Sequence, residues 1–200
     1  MMIMNLRENC IDFFFVISVM QFFNEHISAA TIDDAAAITA LLNSAYRGDS
    51  SKKGWTTEAG LIEGNTRTDE TELVHVMQAA GSLFLKYTGD DNKLVGCVNL
   101  QKHGKKVYLG MFSVSPVLQG GGVGKQLLLA AEEHTRQINC SSIYMSVISV
   151  RTELINWYMR HGYKDTGERK PFVEDEKSGR HVQPLEFMIL EKLITPLQNG

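Results

Sequence analysis

From His26 onward the apolar positions fall into short runs whose spacing switches between helical and alternating. Ile27 to Ile32 reads as a short strand. Asp33 or Asp34 can cap the helix AAAITALLNSAY, in which Ile38, Leu41, Leu42 and Ala45 recur on one face. Arg47 to Gly54 is irregular, and Thr56-Thr57-Glu58 after Trp55 reads as a helix start. Thr68, with Asp69 and Glu72 behind it, opens a helix carrying Leu73, Val76, Met77 and Ala80, which Gly81 ends. The spacing then drops to alternation. Ser82 to Tyr87, Leu94 to Gln101 and Val107 to Val114 read as strands joined by polar turns, an antiparallel meander. Val123 to Ile138 is a helix, Ser142 to Ser149 a strand and Glu153 to His161 a helix. Tyr163 to Gly167 and Leu185 to Lys192 are strands around a polar loop, Glu168 to Pro184. The order predicts an α+β fold with a mixed sheet.

Composition narrows the class. The chain has 200 residues, 20 Lys+Arg, 23 Asp+Glu, a formal net charge of −3 and 44% hydrophobic residues, the profile of one globular domain. Near-neutral charge argues against a nucleic-acid partner, which calls for a basic face. Cys10, Cys97 and Cys140 are too few and too scattered for a disulfide framework or a zinc knuckle, so no metal is expected and a reducing, cytoplasmic setting fits. Residues 26–193 read as a single domain with a short tail over 194–200. Residues 1–25 form an apolar extension. Within it Ile11 to Phe23 is shorter than the roughly 20 residues of a membrane span, so a membrane partner is not expected. It reads as a signal or anchor, as an element packed on the domain, or as residues upstream of a start at Met20.

The sharpest chemical signal lies between a strand and a helix, from Val114-Ser115-Pro116 through Gln119, Gly120, Gly121, Gly122, Val123, Gly124 and Lys125. Glycines at such a turn let backbone N–H groups converge, and the helix N-terminus adds a positive dipole end, which suits a phosphate or pyrophosphate. A turn that only needs positive φ requires fewer glycines. A Walker loop fails at Gln119 and Gln126, and a dinucleotide fingerprint starting at Gly120 fails at Lys125. Gln-x-x-Gly-x-Gly, formed by Gln119, Gly122 and Gly124, does fit.

That motif, the Val-x-Pro strand end before it, and Tyr158-Met159-Arg160-His161-Gly162-Tyr163 downstream resemble the GNAT superfamily of acyl-CoA-dependent N-acetyltransferases. The resemblance covers about Ile27 to Lys192. It implies a mostly antiparallel sheet of six to seven strands flanked by helices, splayed between the fourth and fifth strands. It implies acetyl-CoA as co-substrate and an amine as acceptor. Met111, Phe112 and Val114 would hold the pantetheine arm by their backbone, and Gln119 to Lys125 would wrap the pyrophosphate. Lys125 is either a phosphate contact or a solvated first-turn lysine. Tyr158 aligns with the tyrosine that protonates the departing thiolate; the structural alternative is a buried helix tyrosine. Where the family often has Asn, seven residues earlier, stands Arg151, which either contacts CoA differently or faces the acceptor.

The general base is open. The strand Val107 to Val114 carries no acid, and the candidates elsewhere are Glu63, Glu70, Glu72, Glu168, Glu174, Asp175, Glu186, His75 and His103. Tyr46, Trp55 and Phe172 are candidates for an aromatic acceptor wall, and Glu174-Asp175-Glu176 for attracting a cationic amine. A non-catalytic acyl-CoA-binding module on the same scaffold is the alternative reading. The acceptor's identity and the oligomeric state, a homodimer included, stay open.

Overall fold

The computed structural model describes residues 22–173 and 180–195. Helix α1 (Ala35–Tyr46) places Ile38, Leu41, Leu42 and Ala45 on one buried stripe, as their spacing predicts. A single helical turn, α2 (Gly48–Ser51), interrupts the segment expected to be irregular. Thr56-Thr57-Glu58 starts no helix; it lies in a run of turns, because its polar side chains are held by distant partners. Helix α3 (Glu70–Gln78) is capped by Asp69, whose carboxylate accepts the Glu72 amide at 2.8 Å, while the Thr68 hydroxyl donates to Glu72 instead. Helices α4 (Val123–Gln137) and α5 (Thr152–Arg160) follow.

The strands are β1 (Ile27–Ala29), β2 (Ser82–Thr88), β3 (Leu94–His103), β4 (Lys106–Val114), β5 (Ser142–Ile148), β6 (Lys164–Pro171) and β7 (Glu186–Leu193). They form one sheet in the order β1-β2-β3-β4-β5-β7-β6. Every pair is antiparallel except β4 with β5. The first strand is shorter than expected because Thr31 and Asp34 form a capping box over a 3₁₀ turn, Ile32–Asp34, and Lys86 pairs with Asp34 at 2.7 Å. In contrast, β6 extends to Pro171, into the predicted polar loop. Its residues are all exposed because it is the outer strand of the sheet, held by antiparallel pairing to β7.

Alternation along the meander sends side chains to two cores. Phe84 and Cys97 pack with Ile38, Leu42 and Leu73 under α1 and α3. Leu85, Val98 and Leu100 pack with Leu127, Leu128 and Ala131 under α4, continuous with Ile155, Tyr158 and Tyr163. Each fully buried leucine or isoleucine contributes about 1.5–3 kcal/mol, so the sheet is clamped from both faces.

One buried group opposes the fold in acid. His134 on α4 is buried and its Nδ1 has no partner among the described residues. Burial, with the Lys102 charge nearby, pulls its pKa down to about 4. Below the ordinary histidine pKa the unfolded chain takes up a proton that the folded chain refuses. Stability is therefore full above about pH 6.5 and falls as the pH drops toward 4, by about 2 kcal/mol at pH 5. Thermal unfolding at pH 7 and pH 5 should show this loss, and His134→Gln should shrink the gap between the two midpoints.

Candidate active site

β4 and β5 run side by side only from Lys106 to Tyr108, paired with Ser142 to Tyr144. Beyond that they part. The cause is local: between Cys97 and Asn99 on β3 the partner strand advances from Ser113 to Gly110, so β4 carries one extra residue. Met111 takes up that bulge with φ +45°, the left-handed region. A bulge bends its strand and raises its twist. Two bonds hold the distorted segment, with the Cys97 Sγ donating to the Met111 carbonyl at 3.6 Å and the Tyr46 hydroxyl to the Phe112 carbonyl at 3.2 Å.

The parted strands open onto a cavity of about 1010 Å³. Its floor is the edge of β4 that faces β5, including Gly110, Met111, Phe112 and Val114. From Leu109 on, this edge has no strand partner. At one end stands the glycine loop. Pro116, buried, begins a 3₁₀ turn that ends at Leu118, and the chain then passes through Gly120 (φ +86°) and Gly122 (φ +89°) into α4. A Cβ on either glycine would meet open space, so the loop leaves a cradle. The amides of Gly122, Val123, Gly124 and Lys125 donate to no described residue, the usual orphan donors of a helix start. A Cβ on Gly124 would lie 3.6–3.8 Å from Val114, Phe112 and Trp157, ordinary packing distance, so the helix start lies against the strand end and α5. Val123 packs on the core behind the loop. Lys125, exposed, and Arg160 add positive charge at this end. The Gln119 side chain points the other way. Its amide donates to the Val114 carbonyl at 3.3 Å and its oxygen accepts the Trp55 amide at 3.0 Å, tying the loop to the segment ahead of Glu58.

Tyr158 comes from α5, one turn after Ile155 on the same buried stripe. Its ring is wedged among Phe112, Trp157 and Tyr163, with centroids 6.3, 5.1 and 5.8 Å away. Its side chain lines the cavity, and its hydroxyl has no hydrogen-bond partner among the described residues. Burial, with the neighbouring Tyr46 phenol, raises its pKa far above that of a free tyrosine.

The other end joins Arg151, which the sequence singled out, to Glu58, which it did not. Arg151, the cap residue of α5, reaches back to donate to Glu58 Oε1 at 3.1 Å and Thr56 Oγ1 at 2.7 Å. Both ion-pair partners are over nine-tenths buried. Glu58 is the one carboxylate lining the cavity among the described residues. Glu63, Glu70, Glu168, Glu186, His75 and His103 are exposed and do not line it, and Glu72 is engaged by Thr68. Glu174, Asp175 and Glu176, like most of the apolar N-terminal stretch and Cys10, lie outside the described residues. No signal in the chain pairs Glu58 with an arginine 93 positions away.

Tyr46, Trp55 and Phe172 all line the cavity, but not as one wall. Tyr46 lies against β4. Trp55 is 45% exposed at the rim. Phe172 stacks near Phe187, at 5.3 Å, over a small cluster with Ile62, Ile148 and Leu185.

A sheet parted beside a glycine-rich helix start, with a buried tyrosine at the parting, is the architecture of an acetyltransferase. The chain belongs to the acetyltransferase (GNAT) family, whose profile matches residues 37–163. The spermine/spermidine N(1)-acetyltransferase of Bacillus subtilis is 34% identical over 64 residues, which are 32% of this chain and 42% of that protein. The chain thus matches less than half the length of this relative. Among solved structures, the Escherichia coli ribosomal-protein-S18-alanine N-acetyltransferase has a TM-score of 0.63 at 15% identity, covering 87% of this chain and 95% of its own. The PaiA N-acetyltransferase of Thermoplasma acidophilum, in complex with coenzyme A, has a TM-score of 0.61 at 21% identity, covering 84% and 97%. At these identities the likeness is one of fold.

Breaking the buried pair from one side strands a charge. Glu58→Leu should therefore cost about 3–5 kcal/mol, whereas Glu58→Leu with Arg151→Met should recover much of it. Denaturant unfolding of the two singles and the double gives the coupling directly.

Proposed function

We propose that the chain is an N-acetyltransferase that moves the acetyl group of acetyl-CoA to a primary amine by direct attack, with Tyr158 as the general acid. The observation that carries this is the placing of Tyr158 in the cavity between parted β4 and β5, next to a loop with unpaired amides. The residues present fit the donor. Orphan amides at Gly122 to Lys125 match a pyrophosphate, Lys125 adds charge, and the unpaired edge of Met111 to Val114 matches the amide groups of a pantetheine arm. The related protein bound to coenzyme A and the relatives' N-acetyltransferase names support the same donor and an amine acceptor.

In the reaction the amine nitrogen attacks the thioester carbon. The new N–C bond forms, the C–S bond breaks, and the nitrogen sheds one proton. The leaving thiolate gains one proton from Tyr158, and the shed proton resets the phenol, so the products are an amide and free thiol. Main-chain amides of β4 polarise the carbonyl, and holding donor and acceptor in one cavity supplies the orientation. Arg151, already engaged by Glu58 and Thr56, acts here by holding Glu58 rather than by gripping the donor. The non-catalytic alternative drew on the lack of an acid on β4; Glu58 supplies one to the cavity from elsewhere. No helix among the described residues is long and apolar enough to cross a membrane.

Calorimetry with coenzyme A should show binding to the full chain. Gly122→Val should abolish it, since φ +89° at that position excludes a branched residue. Tyr158→Phe should keep the coenzyme A affinity and lose about 100-fold or more in kcat. Absence of binding, or full turnover in Tyr158→Phe, contradicts the reading.

The pH dependence has a defined sign. Raising the pKa of an acid keeps its proton on as the pH rises, so Tyr158 remains protonated while the acceptor amine becomes neutral. The rate should climb with the amine's deprotonation and show no alkaline fall from this tyrosine below about pH 10.

A further inference from the structure

Arg67 and Arg151 line the acceptor end of the cavity, where Glu58 is the one carboxylate among the described residues. Tyr46 gathers this cluster. Its carbonyl accepts the Glu58 amide at 3.0 Å, its ring carries the Arg67 guanidinium at 5.8 Å, and its hydroxyl holds Phe112 of β4. Glu58 and Arg67 therefore both contact one residue that itself touches the strand of the donor site.

Both groups have capacity left for a ligand. Glu58 gives Oε1 to Arg151, whereas Oε2 has no partner among the described residues and is not sealed in the interior. Arg151, 7% exposed, keeps an unpartnered Nε in the same cluster. Arg67 forms no ion pair with any described residue, and its backbone is locked. Asn43 of α1 accepts the Arg67 and Thr68 amides at 2.6 and 3.1 Å and donates to the Thr68 carbonyl at 2.9 Å. Arg47 donates to the neighbouring Thr66 carbonyl at 2.9 Å, which fixes the other side of the same loop. A backbone fixed in this way, with the guanidinium over the Tyr46 ring, sets a cation beside the cavity where it can receive an anion. An acceptor that is only cationic would leave the Arg67 guanidinium without an anion from any described residue.

We propose that the acceptor is an amine that also bears an acid group, an α-amino acid or close analogue, with Arg67 taking the acid and Glu58 Oε2 the amine. This rests on the N-acetyltransferase reading. The apolar cluster of Ile62, Ile148, Phe172 and Phe187, which also lines the cavity, receives the acceptor's side chain.

The test uses the full chain with matched probes: L-phenylalanine against phenethylamine, L-methionine against 3-(methylthio)propylamine, and spermidine. Coenzyme A binding is measured first, then binding of each probe to the coenzyme A complex, then acetyl transfer. The amino acids should exceed their decarboxylated partners about 10- to 100-fold in kcat/KM. In Arg67→Gln that ratio should fall toward one, with Arg67→Lys between, while thermal stability and coenzyme A affinity hold. Equal use of amines and amino acids, preference for spermidine, or a ratio untouched by Arg67→Gln overturns the proposal. So does failure of the amino acids to bind the coenzyme A complex. Failure of coenzyme A itself to bind overturns the acetyltransferase reading instead.

Discussion

The site depends on two neighbouring strands failing to stay together. β4 and β5 are the one parallel pair in the sheet, and their pairing ends after Tyr108 and Tyr144. The extra residue in β4, absorbed at Met111 with a positive φ, bends the strand away from its neighbour. Left alone, a non-glycine residue in that region costs on the order of 1–2 kcal/mol. Here pairing with β3, the bond from Cys97 of that strand and the bond from Tyr46 of α1 hold it in place. A continuous sheet would bury this edge; the parted one offers its backbone to a ligand.

The same economy of parts explains the rest of the cavity. α4 starts where β4 ends, so the glycine turn aims a helix N-terminus at the gap, and no basic surface is needed to receive an anion. α5 starts where β5 ends, which puts Arg151 at its cap and Tyr158 two turns along, facing the gap from the opposite side. The N-terminal helix supplies Tyr46, and the segment after it wraps the cavity mouth through Gln119, Glu58 and Arg67. Local sequence builds the glycine-loop end, while long-range charge pairing builds the end at Glu58 and Arg151.

That difference sets what was legible beforehand. Helices α1 and α4 and the meander could be read because a periodic apolar stripe is a local property. The glycine loop could be read because left-handed turns and orphan amides need particular residues at fixed spacing. Glu58 could not, since its role comes from Arg151 across the fold and its neighbours look like a helix start. Arg67 could not either: Asn43, 24 positions earlier, is what sets it in place. The extension of β6 was hidden because an exposed outer strand shows no alternation.

The central claim is that the parted edge of β4 and the first turn of α4 are where the donor is held. Amide hydrogen exchange of the full chain, with and without coenzyme A, tests it at the backbone atoms concerned. Exchange should slow at Gly122 to Lys125 and along Met111 to Val114 when the ligand is added. Unchanged exchange at both segments, with protection arising elsewhere, would contradict the account.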